Sequence, residues 1–254
     1  MDAPHAIRIG TEGAPRVVFG HGWGRSGRDF IPVAETIAPI ADSLLLDLPG
    51  FGATPRPDDA WGTQDYADYL ARHLAESFGI ERFVWVGHSF GGRIGLRLAA
   101  KPVPGLAHLI VVAGAGVPRQ LGKAEKIKRR IRGARFRALN ARARTEDEVI
   151  ALEKRFGSPD YVASREAGLR DIFVRTISED QTKTARAIAC PTTLIYGAED
   201  TETPPEIGRC LHRLIRGSAY IECPALGHIS ILDRGRHQIA LAVKEALAGL
   251  RAAA

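Results

Sequence analysis

Short apolar runs alternate along the chain with longer segments in which apolar residues recur every three or four positions. The short runs predict strands because they are rich in β-branched and aromatic residues, and the longer segments predict amphipathic helices. Strands are predicted at 16–20, 43–47, 83–87, 108–113, 192–197 and 219–222, with a weaker one at 6–9. Helices are predicted at 29–38, 65–78, 90–100, 205–215 and 238–250. This alternation indicates an α/β fold: a doubly wound, mostly parallel sheet covered by helices on both faces.

The alternation stops in one long segment, 117–185, which is highly charged and shows no convincing strand pattern. It does show helical spacing, at Ile127, Ile131, Ala134 and Ala138. We therefore expect an inserted helical cap that divides the core in two. The expected bounds are 1–116 for the first part of the core, 117–185 for the cap and 186–254 for the second part.

The composition is that of a globular protein with a large core, since 45% of the 254 residues are hydrophobic. Three cysteines are an odd number for a disulfide framework, so a reducing compartment is favoured. The N-terminus lacks the charged-then-apolar pattern of a leader, and no run approaches the roughly 18 apolar residues of a membrane span. We expect a cytoplasmic protein with no membrane partner.

The net charge of +6 is unevenly distributed. Between Lys123 and Arg144 there are ten Lys or Arg residues and a single acid, Glu125. One interpretation is a patch that attracts an anionic substrate or an acidic carrier protein. Its residues would be Lys126, Lys128, Arg129, Arg130, Arg132 and Arg135. The other is a solvated helical face whose charge is partly met by acids further along. Nucleic acid is not expected, because only Phe136 is an aromatic residue among these bases.

A serine lies between two glycines in G-H-S-F-G at 87–91, directly after the apolar run 83–87. Glycines at this spacing allow a sharp turn from strand to helix, which presents the hydroxyl outside the sheet. The helical pattern of 90–100 follows, and we expect Pro102 to end it. Ser89 is therefore the candidate nucleophile.

A serine nucleophile needs a base, and the base needs a group that fixes its tautomer. His228 and Asp200 both follow predicted strands, where catalytic groups collect in open α/β sheets. His21 and His88 are weaker candidates for the base because their motifs use the backbone. Glu199 and Asp47 compete for the role of the acid. Asp47 fits better as an acceptor that fixes its own loop.

The fourth predicted part is an oxyanion hole, for which H-G-W-G at 21–24 follows a strand. Fixed backbone N–H groups stabilise the oxyanion of a tetrahedral intermediate without reorganising. We expect these donors to be the amides of Trp23 and Phe90.

Together these motifs resemble the α/β-hydrolase superfamily across essentially the whole chain. The motifs, in order, are H-G-W-G, D-L-P-G-F-G, G-H-S-F-G, G-A-E-D and G-H. The chain is similar to short, capped serine carboxylesterases, including pimeloyl-carrier-protein methyl ester esterases, and to C–C bond hydrolases. The resemblance implies a Ser89–Asp200–His228 triad, an oxyanion hole at Trp23 and Phe90, and neither a metal nor an organic cofactor. Relatives that open epoxides or release halide carry aspartate at the nucleophile position, which Ser89 argues against.

The function expected from these residues is hydrolysis of a small carboxylic ester through an acyl-enzyme. The first alternative is hydrolysis of a C–C bond in a vinylogous diketone by the same triad. The second is a non-catalytic receptor that binds a ligand in the same pocket.

Overall fold

A computed structural model describes residues 1–101, 103 and 105–252, so Pro102 lies outside the described residues. The strands are β1 (Ala6–Gly10), β2 (Arg16–Gly20), β3 (Asp42–Leu46), β4 (Phe83–His88), β5 (Leu106–Val112), β6 (Thr192–Gly197) and β7 (Ala219–Cys223). The helices are α1 (Ile31–Ile37), α2 (Thr63–Glu76), α3 (Phe90–Ala100), α4 (Lys123–Asn140), α5 (Glu146–Phe156), α6 (Pro159–Glu166), α7 (Arg170–Ser178), α8 (Thr182–Arg186), α9 (Pro205–Leu214), α10 (Ser230–Asp233) and α11 (Arg236–Ala252). None of these described helices combines the length and apolar character of a membrane span.

The strands form one seven-stranded sheet in the order β1-β3-β2-β4-β5-β6-β7. All neighbours are parallel except β1 and β3, so the predicted mostly parallel α/β sheet is confirmed. Strands β3, β4 and β6 are buried along their whole length, as their continuous apolar runs predict for a sheet covered on both faces. The register sets Gly20 opposite Gly87 and His88 opposite Val112, which brings the carboxyl ends of β2, β4 and β5 to one edge.

The chain divides into two compact units. The first comprises Met1–Pro118 and Glu179–Ala254 and contains the sheet, and the second is Arg119–Ser178. Glu179 belongs to the first unit because it accepts hydrogen bonds from the Thr63 amide at 2.9 Å and Arg97 Nη2 at 3.0 Å. The expected bound at 185 rests on the break in the alternation of strands and helices over 117–185. The role of the inserted unit as a cap stays a prediction.

The second unit consists of helices α4 to α7 and has a charged centre. Glu153 is 4% exposed and binds Arg165 Nε at 2.8 Å and Arg170 Nη1 at 2.7 Å. The hydrogen bond from Arg165, joined by that from Arg170, lowers the pKa of Glu153 to about 2. Helix α4 buries none of its residues, and its Ile127 and Ile131 are 58% and 63% exposed. The helical spacing was predicted correctly, but the face that it defines is open.

Candidate active site

Ser89 occupies the sharp turn between β4 and α3. Its backbone has φ +47° and ψ −103°, in a region that non-glycine residues rarely adopt and that costs about 1–3 kcal/mol. Its amide donates to Val112 O at 3.0 Å, which ties the turn to the end of β5. The turn also needs a glycine at position 91, because a Cβ there would collide with the carbonyl oxygen of Gly20. The glycines therefore permit the strained turn that presents the half-buried Ser89.

Asp200 and His228 are joined by a hydrogen bond. His228 Nδ1 lies 2.8 Å from Asp200 Oδ2, and both side chains are buried. Burial alone raises the pKa of Asp200, but hydrogen bonds from His228 and Thr203 outweigh it, and the net pKa is lowered. An ionised Asp200 can only accept, so the imidazole proton sits on Nδ1 and Nε2 is left as the basic nitrogen.

The loops that carry these two residues are bound to each other. The amides of Ala198 and Glu199 donate to Cys223 O and Leu226 O, both at 2.9 Å. A Cβ at Gly197 would collide with Leu226 O, so glycine is required for this close approach. Two loops that are distant in sequence are thereby fixed at the same edge of the sheet.

His228 lies next to the residue that precedes Ser89. His88 Nε2 donates to His228 O at 2.9 Å, and the two rings are 4.7 Å apart. The hydrogen bonds of the described residues do not include one from the Ser89 hydroxyl to His228. Instead, His228 Nε2 is 3.5 Å from Glu202 Oε2, whose side chain is 60% exposed. The structure therefore joins Asp200 to His228 and sets His228 beside the serine turn. Their roles as acid and base stay a prediction, and catalytic hydrogen bonds are often long without substrate.

The two candidate oxyanion donors lie on either side of the serine turn. Phe90 is the first residue of α3, and the first-turn amides of a helix have no intrahelical acceptor. Trp23 lies in the loop after β2, with its ring 5.2 Å from that of Phe90. A Cβ at the neighbouring Gly22 would come 2.8 Å from His88 Nδ1 and 3.5 Å from Ser89 Cβ, so the Trp23 loop passes close to the turn. Their role as oxyanion donors stays a prediction.

His21 and Asp47, the alternatives for base and acid, hold loops instead. The Leu48 amide donates to His21 Nε2 at 2.9 Å, and His21 Nδ1 lies 2.7 Å from Gly22 O. Asp47 accepts hydrogen bonds from the amides of Gly27 and Ala53, both at 2.9 Å. Asp47 Oδ2 also lies 2.9 Å from His5 Nδ1, so the polar atoms of both side chains are occupied in fixing loops.

Sequence reasoning missed Thr203, which fixes the Asp200–His228 pair. Its hydroxyl lies 2.8 Å from both Asp200 Oδ2 and Ala113 O, and 3.1 Å from His228 Nδ1. Its amide and that of Glu202 donate to Asp200 Oδ1, both at 2.9 Å. An aspartate followed by threonine three positions later is a signal for such a turn, and it could have been recognised.

Two buried histidines make the stability of the first unit sensitive to acid. Burial lowers the pKa of His21 to about 4 and that of His88 to about 3. In the unfolded chain both protonate near pH 6.5, so stability is complete above that pH and falls until the folded pKa values are reached. We expect the free energy of unfolding to drop by about 2–3 kcal/mol between pH 6 and pH 5. Urea unfolding monitored by tryptophan fluorescence measures this, since Trp23, Trp61 and Trp85 all lie in the first unit.

The variant His88→Gln tests whether the buried histidines cause this loss of stability. It should reduce the pH slope by up to about half, because burial also lowers the pKa of His73 and of His108. The exposed His237→Gln should leave the slope unchanged. A free energy of unfolding that stays constant from pH 7 to pH 5 would contradict the assignment of two buried neutral imidazoles.

Within the described ranges, no three or more His, Cys, Asp or Glu side chains form a group that could hold a metal ion. A serine on a strained strand-to-helix turn, with an aspartate–histidine pair at the same edge of a parallel sheet, is typical of hydrolases built on an open α/β sheet.

Comparison with known proteins agrees with this class. A family model described as "Alpha/beta hydrolase family" matches residues 17–242. The chain is 32% identical over 233 residues to a pimeloyl-[acyl-carrier protein] methyl ester esterase of Chromobacterium violaceum, covering 86% of this chain and 89% of that one. It is also 35% identical over 120 residues to a 2-succinyl-6-hydroxy-2,4-cyclohexadiene-1-carboxylate synthase of Salmonella heidelberg, covering 46% of each. The chain belongs to the alpha/beta hydrolase family and is a hydrolase.

Solved structures share the fold at lower identity. An enol-lactonase from Burkholderia xenovorans LB400 superposes with a TM-score of 0.72 at 23% identity, covering 96% of both chains. A thermophilic esterase from Thermogutta terrifontis superposes with a TM-score of 0.68 at 22% identity, covering 96% of this chain and 93% of that one.

Proposed function

We propose that this hydrolase cleaves small carboxylic esters through an acyl-enzyme formed on Ser89. The observation that carries the proposal is the 2.8 Å hydrogen bond between Asp200 and His228, set beside the Ser89 turn by the contact of His88 with His228 O. This pair is what a serine hydroxyl needs in order to become a nucleophile.

In the first half of the reaction, Ser89 Oγ attacks the acyl carbon while His228 Nε2 takes its proton. Asp200 stabilises the imidazolium that forms, and the amides of Trp23 and Phe90 bind the oxyanion of the tetrahedral intermediate. The ester C–O bond then breaks, and the imidazolium gives its proton to the departing alcohol.

In the second half, His228 Nε2 takes a proton from water, and the resulting hydroxide attacks the acyl carbon. The second tetrahedral intermediate collapses with protonation of Ser89 Oγ by His228, which releases the carboxylic acid and restores the enzyme. His228 relays both protons: the alcohol leaves with the proton of Ser89, and a proton from water replaces it.

The ester as substrate is supported by the 32%-identical relative, which is named as a methyl ester esterase. A cytoplasmic location is also part of the proposal. It is supported by Cys190, Cys210 and Cys223, which are all free thiols.

An acyl-enzyme is detectable directly. With nitrophenyl esters of increasing acyl length, we expect an initial burst of nitrophenol near one equivalent per enzyme, followed by steady turnover. Acid quenching during turnover and peptide mass spectrometry should find the acyl group on the peptide that contains Ser89.

Two results would contradict the proposal. Far faster turnover of a ring-fission vinylogous diketone than of any ester would assign the site to C–C bond hydrolysis. Tight binding of esters with neither burst nor turnover would assign it to a receptor.

A further inference from the structure

The second unit carries the positive charge of the whole protein. Its 60 residues hold sixteen Lys or Arg and eight Asp or Glu, a net charge of +8. The first unit holds nineteen and twenty-one, a net charge of −2. A potential of one sign is therefore concentrated on a small helical unit.

Helix α4 presents an apolar stripe to solvent. Ile127, Ile131, Ala134 and Ala138 follow the spacing of one helical face, and all four are exposed. The helix packs on its own unit through Phe136, which lies about 180° around the helix from Ile127. The rings of Phe136 and Phe156 are 5.8 Å apart, and Arg132 Nη2 donates to Phe156 O at 3.0 Å. Ile127 therefore lies on the side of the helix opposite this contact.

Cations line both sides of this stripe. Arg130 and Arg137 lie on one side and Lys128 and Arg135 on the other, each pair seven residues apart. All four are exposed, and none forms an ion pair with another described residue. An apolar stripe between two rows of unpaired cations is the pattern of a helix that lies in a lipid–water interface.

A second helix of the same unit extends the apolar surface. On α7, Val174 and Ile177 are 42% and 49% exposed. Ile177 and Ile131 line the same cavity of about 1210 Å³, together with Phe136, Phe156 and Phe173. Ile131 of α4 and Ile177 of α7 thus border one concave surface.

We infer that the second unit binds to an anionic lipid surface through the exposed face of α4. The isoleucines enter the boundary between head groups and acyl chains, and the flanking Lys and Arg contact anionic head groups. A lipid surface is favoured over an acidic protein because cations flank the stripe on both sides and none of the four is held in an ion pair with another described residue. This replaces our expectation that the chain has no membrane partner, and it does not rest on the proposed esterase activity.

Vesicle binding by the full-length protein tests the inference. We expect cosedimentation with phosphatidylcholine vesicles that contain 40 mol% phosphatidylglycerol, little with phosphatidylcholine alone, and weaker binding as salt rises. Replacing three flanking cations (Lys128→Gln, Arg130→Gln, Arg135→Gln) should lower the partition coefficient on the order of 100-fold. Ile127→Ser with Ile131→Ser should lower it at least about tenfold with the charges kept.

Matched variants in the first unit act as controls. Leu241 is 51% exposed, and Leu241→Ser should leave vesicle binding unchanged. The same is expected of Arg213→Gln, Arg216→Gln and Arg234→Gln together, which remove three exposed cations. Unchanged circular dichroism establishes that the α4 variants remain folded.

Three results would overturn the inference. The first is no binding to anionic vesicles at low salt. The second is vesicle binding that weakens when the cations are replaced but not when the isoleucines are replaced, because the apolar stripe would then remain in water. The third is binding to an acidic acyl carrier protein that depends on the same isoleucines, with no binding to vesicles, which would make the face a protein-docking surface.

Discussion

Replacing Ser89 with alanine is expected to lower kcat for ester hydrolysis by about 10⁵- to 10⁶-fold. The hydroxyl is the only group lost, and Cβ is kept, so the strained turn between β4 and α3 is preserved. In the proposed mechanism the change removes the atom that bonds to the acyl carbon, and it leaves the Asp200–His228 pair intact. The KM for the ester should change little, and the nitrophenol burst should vanish.

Ser178→Ala is the matched control. Ser178 is exposed, and its hydroxyl donates to Val174 O on the same helix. Its replacement should leave kcat unchanged. If Ser89→Ala kept more than about one hundredth of the activity, the acyl-enzyme would have to form elsewhere or not at all.

Asp200→Asn is expected to lower kcat by about 10⁴-fold, with little effect on substrate binding. The cause lies in the hydrogen bonds around the carboxylate. Oδ1 of Asp200 accepts the amides of Glu202 and Thr203, so in the variant the amide oxygen should take that place. The new NH₂ group then faces His228 Nδ1 and forces the imidazole proton onto Nε2, which can no longer accept the proton of Ser89.

The matched control is Asp59→Asn, which removes the charge of an exposed aspartate. Steady-state kinetics of the two variants separate the change of the His228 tautomer from the loss of one charge. A crystal structure of Asp200→Asn should show the side chain in its original position. Near-normal kcat in that variant would mean that His228 does not need an aspartate to fix its tautomer, and the assignment of Asp200 would be wrong.

Most strands could be predicted because each is a local signal. The runs 16–20 and 192–197 coincide with β2 and β6, and the others lie within two residues of the observed strands. The order of the strands in the sheet could not be read in the same way, since it depends on contacts between distant segments. The antiparallel pairing of β1 with β3 is of this kind.

The serine turn was also local, because glycine, serine and the flanking patterns are contiguous. Asp200 and His228 were predicted only as residues that follow strands, and their hydrogen bond required the two loops to meet. His88 and Thr203 are different, because their contacts to His228 depend on three-dimensional packing. The spacing of residues along a sequence does not predict such contacts.

Whether the α4 face is buried could not be predicted from the spacing of its apolar residues. The spacing of Ile127 and Ile131 is the same whether the face packs on a core or meets solvent. The exposure of this face is decided by the opposite face, where Phe136 packs on Phe156 and fixes the orientation of the helix. A single aromatic residue within a basic segment was the one available hint.

The left-handed backbone at Ser89 has a consequence for protein engineering. Only glycine adopts φ +47° without penalty, yet glycine has no hydroxyl with which to attack an acyl carbon. Selection of variants for heat resistance alone would therefore favour replacing the proposed nucleophile with glycine at this position. A thermostabilising library for this enzyme should exclude residue 89 from randomisation and screen for turnover at every round.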